Sequence, residues 1–439
     1  MRTSMSTLFT RLLRILSIKS QHHDDVWLFL SCTIRDMQLL LFVHVSFLLS
    51  QNCFYGNILI SDREKEYFMP VTHTEVLSVL AERMNKFEQA MDPLHRKQTG
   101  SYYTSLDLSM VMMEELVNSL PKKKKKELYK LRFLEPCVGT GSFVFAYLAG
   151  AAYLGFTKEQ YHELLTNIYV CDINQEALDQ YRTSLTFLAK KMFGIELDDE
   201  YFDSHIGGGL LFNVNSAMPR YISIDEVFGE NSEQSFDIVA TNPPYKNLKA
   251  EYAHYNDRAE RELDKLRYSI IGSGAANYLK YSAAGVLNLY KLFIEEIVER
   301  YAKNDASVSL LIPSSLLTDK TCEKLRTQLI RTYSIKSIKI IGEESRFVDA
   351  QQALCALLAV KGAKMGKIKI STDYGGKSEE TISAKAGDII TPGNGNAIIV
   401  MKGEDCDTYH KMSTFPKIKD LPYIINMRGE LDLTAPAAE

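Results

Sequence analysis

What the 439-residue chain lacks narrows the field before any motif is read. It has no run of the ~20 apolar residues that a membrane helix needs. The two apolar runs near the N-terminus, Val26 to Leu30 and Leu39 to Ser50, are separated by Arg35 and Asp36, so no membrane partner is favoured. Arg2, Arg11, Arg14 and Lys19 precede the first run as they would in a signal peptide, yet no small-residue cleavage site follows. No CxxC pair occurs. The seven cysteines stand singly at 32, 53, 137, 171, 322, 355 and 406, which argues against a disulfide framework, offers no zinc spacing and places the chain in a reducing cytoplasm. No charge of one sign dominates: 51 Lys and Arg face 55 Asp and Glu, so a polyanion would have to be met by local patches. No internal repeat is visible.

What is present becomes regular from about Asp62. Val76, Val79, Leu80 and Met84 have helical spacing within Thr74 to Met91, and Leu106 to Leu120 repeats the pattern. A turn-rich stretch, HRKQTGSYYTS, lies between them, and Lys122 to Lys126 follow as a solvated charge run. After Lys130 apolar strands alternate with amphipathic segments: LRFLEP, NIYVCDI, FDIVAT, VSLLIP and ALCALLAVK are strands, with helices such as SFVFAYLAGAAYL and LYKLFIEEIVERYA between them. This order predicts an α/β fold, a doubly wound Rossmann-like parallel sheet over residues 62–364, preceded by a helical extension over 1–61. Beyond Lys364 short β-prone pieces with Gly-rich turns, KIKISTDYGG and GDIITPGNGNAIIVMKG, predict the start of a second, β-rich domain over 365–439.

Two strand ends carry chemistry. LEPCVGTGSF puts Gly139 and Gly141 at the C-terminal end of the first strand, where open α/β sheets bind ligands. The third glycine of a dinucleotide fingerprint is replaced by Val144, and Glu135 in the loop mouth would repel a pyrophosphate but pair with an ammonium. The expected ligand is a nucleoside without phosphates and with a cationic end, a description that S-adenosylmethionine meets. Asp172 ends the second strand, placed either to accept from ribose hydroxyls or to cap the next helix, and Ile173 beside it can pack on an adenine face.

The other strand ends FDIVATNPPY. Proline has no N–H, so Pro243 and Pro244 stop the sheet ladder, while Asn242 adds a side-chain carbonyl and Tyr245 a flat face. Two acceptors beside a stacking platform suit a planar substrate with an exocyclic NH2. Its delocalised lone pair is a poor nucleophile until acceptors on both N–H bonds, Asn242 Oδ1 and the Pro243 carbonyl, draw density to nitrogen. A base in duplex DNA would have to leave the stack to reach them. Cys137 lies in the cofactor loop and reads as a small buried residue, not a nucleophile.

Together these segments resemble the N6-adenine DNA methyltransferases of the gamma motif order, from about His95 to Lys364. QTGSYYTS resembles the motif upstream of the glycine loop, which implies that Tyr103 and Thr104 help hold the methionine end; Ser105 stands where the family usually has proline. FLEPCVGTGSF carries over Glu135, Gly139 and Gly141 as cofactor contacts, and YVCDIN carries over Asp172 and Ile173. NPPY resembles the catalytic motif and implies that Asn242, Pro243, Pro244 and Tyr245 act on adenine. NLYKLF suggests Phe293 near the cofactor, and SRFVDAQQAL suggests Phe347 against the flipped base. HIGGGLLF departs from the pattern, with Gly208 or Gly209 where many members carry an Asp. The resemblance implies double-stranded DNA as substrate, a cognate restriction endonuclease as partner and residues 365–439 as part of a target-recognition region. In the insertion after NPPY, Lys246, Lys249, Arg258, Arg261, Lys265 and Arg267 are either a solvated face or a phosphate clamp. Two other functions stay open: N5-methylation of a protein glutamine, whose carboxamide has the same NH2, and a non-catalytic DNA-binding remnant.

Overall fold

A computed structural model describes residues 71–92, 103–212, 219–251, 255–283, 285, 287–342, 345 and 353–416. All of these fall within one compact unit, Pro70–Glu439. The expected extension over 1–61 lies outside the described residues.

The core is a mixed sheet of β1 (Phe133–Glu135), β2 (Ile168–Cys171), β3 (Ile206–Gly207), β6 (Phe236–Thr241), β7 (Ala302–Pro313), β8 (Tyr333–Ile341), β9 (Leu354–Lys361), β10 (Lys367–Thr372) and β11 (Glu380–Lys385). A separate antiparallel pair joins β4 (Leu211–Phe212) to β5 (Tyr221–Ile222). The nine sheet strands lie in the order β11-β10-β8-β9-β7-β6-β1-β2-β3. Seven point the same way; β9 and β11 run against their neighbours. From β1 the chain builds outward through β2 to β3, then returns to place β6 on the other side of β1. This reversal opens a crevice between β1 and β6 at their C-terminal ends, where such sheets take ligands.

All six positions of β6 are buried and so are all three of β1, although successive side chains point to opposite faces. Both faces are therefore covered, which is why these segments read as unbroken apolar runs. The covering helices used below are α1 (Val71–Ala90), α2 (Leu106–Ser119), α3 (Ser142–Ala152), α4 (Gln175–Leu188), α5 (Arg258–Tyr278), α6 (Leu289–Glu296) and α7 (Glu323–Thr332). Helix α2 packs along α3 and against β7 and β9. In α7, Arg326 is 1% exposed. Its guanidinium donates to the carbonyls of Leu316, Asp319, Gly395 and Asn396 at 2.7 to 3.1 Å, holding the 395–396 turn against α7.

The expected break at Lys364 is not a break in the sheet. Strand β10 pairs parallel with β8, Ile370 opposite Ile338, and β11 pairs antiparallel with β10. The KIKI alternation is that of a strand near the sheet's edge, with Ile368 and Ile370 buried and Lys367 and Lys369 exposed. No described helix is long and apolar enough to cross a membrane.

Candidate active site

The crevice at the β1 and β6 ends holds about 860 Å³ of empty space, its open mouth included. Strand β1 ends on Glu135, β2 on the residue before Asp172, and β6 on the residue before Asn242, so three adjacent strand ends deliver three polar side chains to one cleft. Tyr103, Thr104, Gly139, Ile173, Pro244 and Phe293 complete the expected residues that line it.

Glu135 is 1% exposed, and its Oε2 has no hydrogen-bond partner among the described residues. Burial pushes its carboxyl well above the usual range; the Val144 N–H opposes this and the charge of Asp172 adds to it. Burial likewise raises Asp172, against the backbone N–H groups of Asn174, Gly139 and Ile173. Asp172 accepts from Gly139 N at 2.7 Å and Asn174 N at 2.9 Å, so it ties the glycine loop to the end of β2. It does not cap α4; Asn174 does, accepting from Ala177 N. Among the described lining residues there is no Lys or Arg. The cleft is an apolar space with two carboxylates whose charge burial disfavours, a setting that favours a cationic guest.

The two loop glycines have different jobs. Gly139 has φ +53°, and a Cβ there would lie 2.6 Å from the Tyr103 ring, which also packs edge-on against Phe87 at 5.7 Å. Gly139 thus lets Tyr103 close over the loop. Gly141 has φ +100° and starts α3, and a Cβ would meet Tyr181 at 2.6 Å. It is not among the lining residues, so its place is behind the cleft rather than in it.

At the other end, Asn242 Nδ2 donates to Thr104 Oγ1 at 2.9 Å. Pro243 is buried beneath the surface that Asn242 and Pro244 form. Tyr245 does not line the cleft; its hydroxyl donates to the Leu311 carbonyl at 3.0 Å and its ring meets Tyr290 edge-on at 6.4 Å, which fixes the ring plane from behind. Phe347 lies outside the described residues. Cys137 lines the cleft within the glycine loop, as the sequence placed it, and is half-buried rather than fully buried, its sulfur being the sheltered part. Burial and the charge of Asp172 raise its thiol far above the usual range, so it stays protonated.

The rest of the wall includes residues that the motifs did not single out. Phe212 of β4 and Leu210 just before that strand line the cleft, and Leu289 sits one turn before Phe293 on α6; that i, i+4 spacing was a readable signal. Gly209 lines the cleft, and a Cβ there would lie 2.8 Å from Ile173, so no acidic side chain fits; Gly208 instead borders a separate groove. Helix α5 backs this wall: a Cβ on Gly274 would lie 2.9 Å from Phe212, and Tyr278 stacks on Tyr221 at 4.5 Å. Glu295 of α6 accepts from the backbone N–H groups of Lys280, Tyr281 and Ser282, clamping the loop that leads into α6.

The insertion's cations are mostly spent within the protein. Lys246 and Arg261 are buried, the latter donating to the Ala250 carbonyl at 3.0 Å, while Lys265 and Arg267 pair with Glu262 and Asp264 of the same helix. The lysine run sits far from the cleft. Lys124 pairs at 3.0 Å with Asp305 near the start of β7, eight residues and so about 26 Å from the strand's other end. Among the described residues no group of His, Cys, Asp and Glu is placed to hold a metal.

Comparison with known proteins gives three kinds of match. Residues 166–347 match the family model of the Eco57I restriction-modification methylases. The Type II methyltransferase M.BanIII of Aneurinibacillus aneurinilyticus is 23% identical over 259 residues, which are 58% of this chain and 38% of that protein. Among solved structures, DrdV in its DNA complex superimposes with a TM-score of 0.51 at 15% identity, over 76% of this chain and 34% of that one. The Type IIL restriction-modification enzyme MmeI bound to DNA gives 0.46 at 16% identity, over 70% and 43%. The chain thus spans less than half the length of each. The family model and M.BanIII bear out the resemblance to restriction-modification methyltransferases, and the DrdV superposition bears out the α/β fold; a methylase implies S-adenosylmethionine as cofactor.

The residues present fit that cofactor. The partnerless Glu135 oxygen suits its ammonium, and the absence of lining cations among the described residues suits its sulfonium. Each carboxylate oxygen has two acceptor sites, so Asp172 keeps acceptor capacity for a ribose hydroxyl beyond the backbone N–H groups it already meets. Ile173, Phe212 and Phe293 supply the apolar faces a purine needs.

Proposed function

We propose, for a chain whose middle part matches the restriction-modification methylases, that it transfers a methyl group to the N6 amine of adenine in double-stranded DNA. One observation carries this reading: Asn242 stands on the wall of the same cleft whose other end holds the partnerless Glu135 carboxylate oxygen. An acceptor for an amine and a site for a cationic cofactor thereby share one space.

S-adenosylmethionine, when bound, supplies a methyl group made electrophilic by its sulfonium. Glu135 and Asp172 would hold its ammonium and ribose, and Tyr103, closed on Gly139, covers the loop. The target base leaves the helical stack at a cost of a few kcal/mol. Tyr245 is not part of the cleft lining, but a base that reaches its ring would regain ~1 to 3 kcal/mol of that by stacking, and the ring is already held in place through Leu311. Asn242 Oδ1 and the Pro243 carbonyl accept the two amine hydrogens, raising electron density on nitrogen without a general base. The product amine loses its proton to solvent or to these acceptors. In a restriction-modification setting the methyl mark protects DNA from a cognate endonuclease.

The test offers labelled S-adenosylmethionine to the purified chain with duplex DNA or with a protein glutamine substrate, and identifies the methylated nucleoside by mass. The expected result is label in DNA as N6-methyladenine. Asn242→Ala is expected to abolish incorporation while binding of S-adenosylhomocysteine survives. Label in the protein instead, in a different base, or retained by Asn242→Ala would overturn the reading.

A further inference from the structure

We infer that Thr104 is a positioning residue that sets the orientation of the Asn242 carboxamide. The inference rests on the proposed role of Asn242 and assigns Thr104 a task other than holding the methionine end, which the family resemblance implied. Its hydroxyl accepts from Asn242 Nδ2 at 2.9 Å, across 138 residues of sequence.

A carboxamide has donors at one end and an acceptor at the other, and the two ends are nearly the same size. Rotated by half a turn, Asn242 would fill the same space but present N–H donors to an amine that is itself a donor. Only one orientation is productive. The Thr104 hydroxyl accepts from Nδ2 and so holds the carboxamide in that orientation, with Oδ1 at the end remote from Thr104, on the wall of the cleft that both residues line.

The hydroxyl is itself firmly placed. Thr104 is 7% exposed. The residue before it, Tyr103, is wedged between Gly139 and Phe87. The residue after it, Ser105, caps α2 by accepting from Leu108 N at 3.4 Å. A rigid backbone on both sides leaves the threonine little freedom beyond its own rotamer, and a β-branched side chain restricts that too.

Thr104→Val keeps the shape and removes the hydroxyl; Thr104→Ser keeps the hydroxyl. For Val the expected result is a fall in kcat of about tenfold, the size of one net hydrogen bond. KM for DNA and the calorimetric affinity for S-adenosylhomocysteine should stay within about twofold. Ser should recover most of the lost kcat, and equal melting temperatures for both variants confirm that they fold. If Val weakens cofactor binding and leaves kcat alone, Thr104 is a cofactor residue and the inference is wrong. Unchanged behaviour of Val would also overturn it. Asn242→Ala run alongside separates the two levels: activity in that variant removes the underlying reading, whereas a dead Asn242→Ala with a fully active Thr104→Val removes only the role of Thr104.

Discussion

Gly139→Ala would test how the cofactor loop is built. The new Cβ would stand 2.6 Å from Tyr103 Cε1 and 2.8 Å from Cδ1, against ordinary contacts of 3.4 Å or more, so the ring must retreat by about 0.8 Å. It cannot retreat freely, because Phe87 packs against it. A left-handed φ costs a residue with a Cβ roughly 1 to 2 kcal/mol. Forcing an extra methyl into a packed site costs roughly 1 to 3 kcal/mol more. The sum, about 2 to 5 kcal/mol, is a large part of the 5 to 15 kcal/mol typical of a folded protein. For a unit the size of Pro70–Glu439 it corresponds to a drop in melting temperature of roughly 3 to 6 °C. The steric share can be isolated, since Tyr103→Ala removes the obstruction. In a double-mutant cycle followed by urea unfolding, Gly139→Ala should cost less in the Tyr103→Ala background, by about 1 to 3 kcal/mol. Titration with S-adenosylhomocysteine should show weaker binding for the single variant. Equal costs in both backgrounds would refute the account in which the glycine exists to admit the ring.

Two further expectations concern charge and anchoring. Glu135→Gln should weaken cofactor binding at least tenfold without lowering the melting temperature, because the variant loses a charge that burial disfavours. The pH dependence has a definite sign. Glu135 and Asp172 titrate above the usual ~4 when folded, so between that value and their raised ones the folded state holds more protons than the unfolded chain. Stability without cofactor should fall as pH rises through this window. A cation needs the ionised forms, so the thermal shift given by S-adenosylmethionine should grow with pH and its binding should release protons. A shift that shrinks as pH rises would contradict the assignment. Arg326→Lys keeps a charge but loses the planar fork that reaches the four carbonyls of Leu316, Asp319, Gly395 and Asn396. Losing two or three of those bonds should cost about 2 to 4 kcal/mol in urea unfolding; a cost under about 0.5 kcal/mol would show that the 395–396 turn is held by something else.

The strands were legible in the sequence because burial on both faces leaves an apolar run, as in FDIVAT, and the strand ends were legible because glycine, proline and acidic residues break that run. The continuation into β10 and β11 was not, since an edge strand alternates whether it finishes one sheet or begins another. Burial of Lys246 and Arg261 was equally hidden, as a cation in a polar, charge-balanced stretch looks solvated. The site's residue types could be read, but not their partners. That Thr104 serves Asn242, and that the Tyr245 hydroxyl goes to Leu311, depends on contacts across 138 and 66 residues that no local spacing encodes.

Helix α5 is a 21-residue insertion by sequence, yet it is not a detachable module. Its Gly274 admits the Phe212 ring at close range, and Tyr278 is tied through its carbonyl to Arg300 at 3.0 Å. Trimming the chain from Ala250 to Leu279 would remove the backing of the cleft wall at Phe212. A shortened version of this protein made for engineering must therefore keep the insertion, or fill the space behind Phe212 with another side chain.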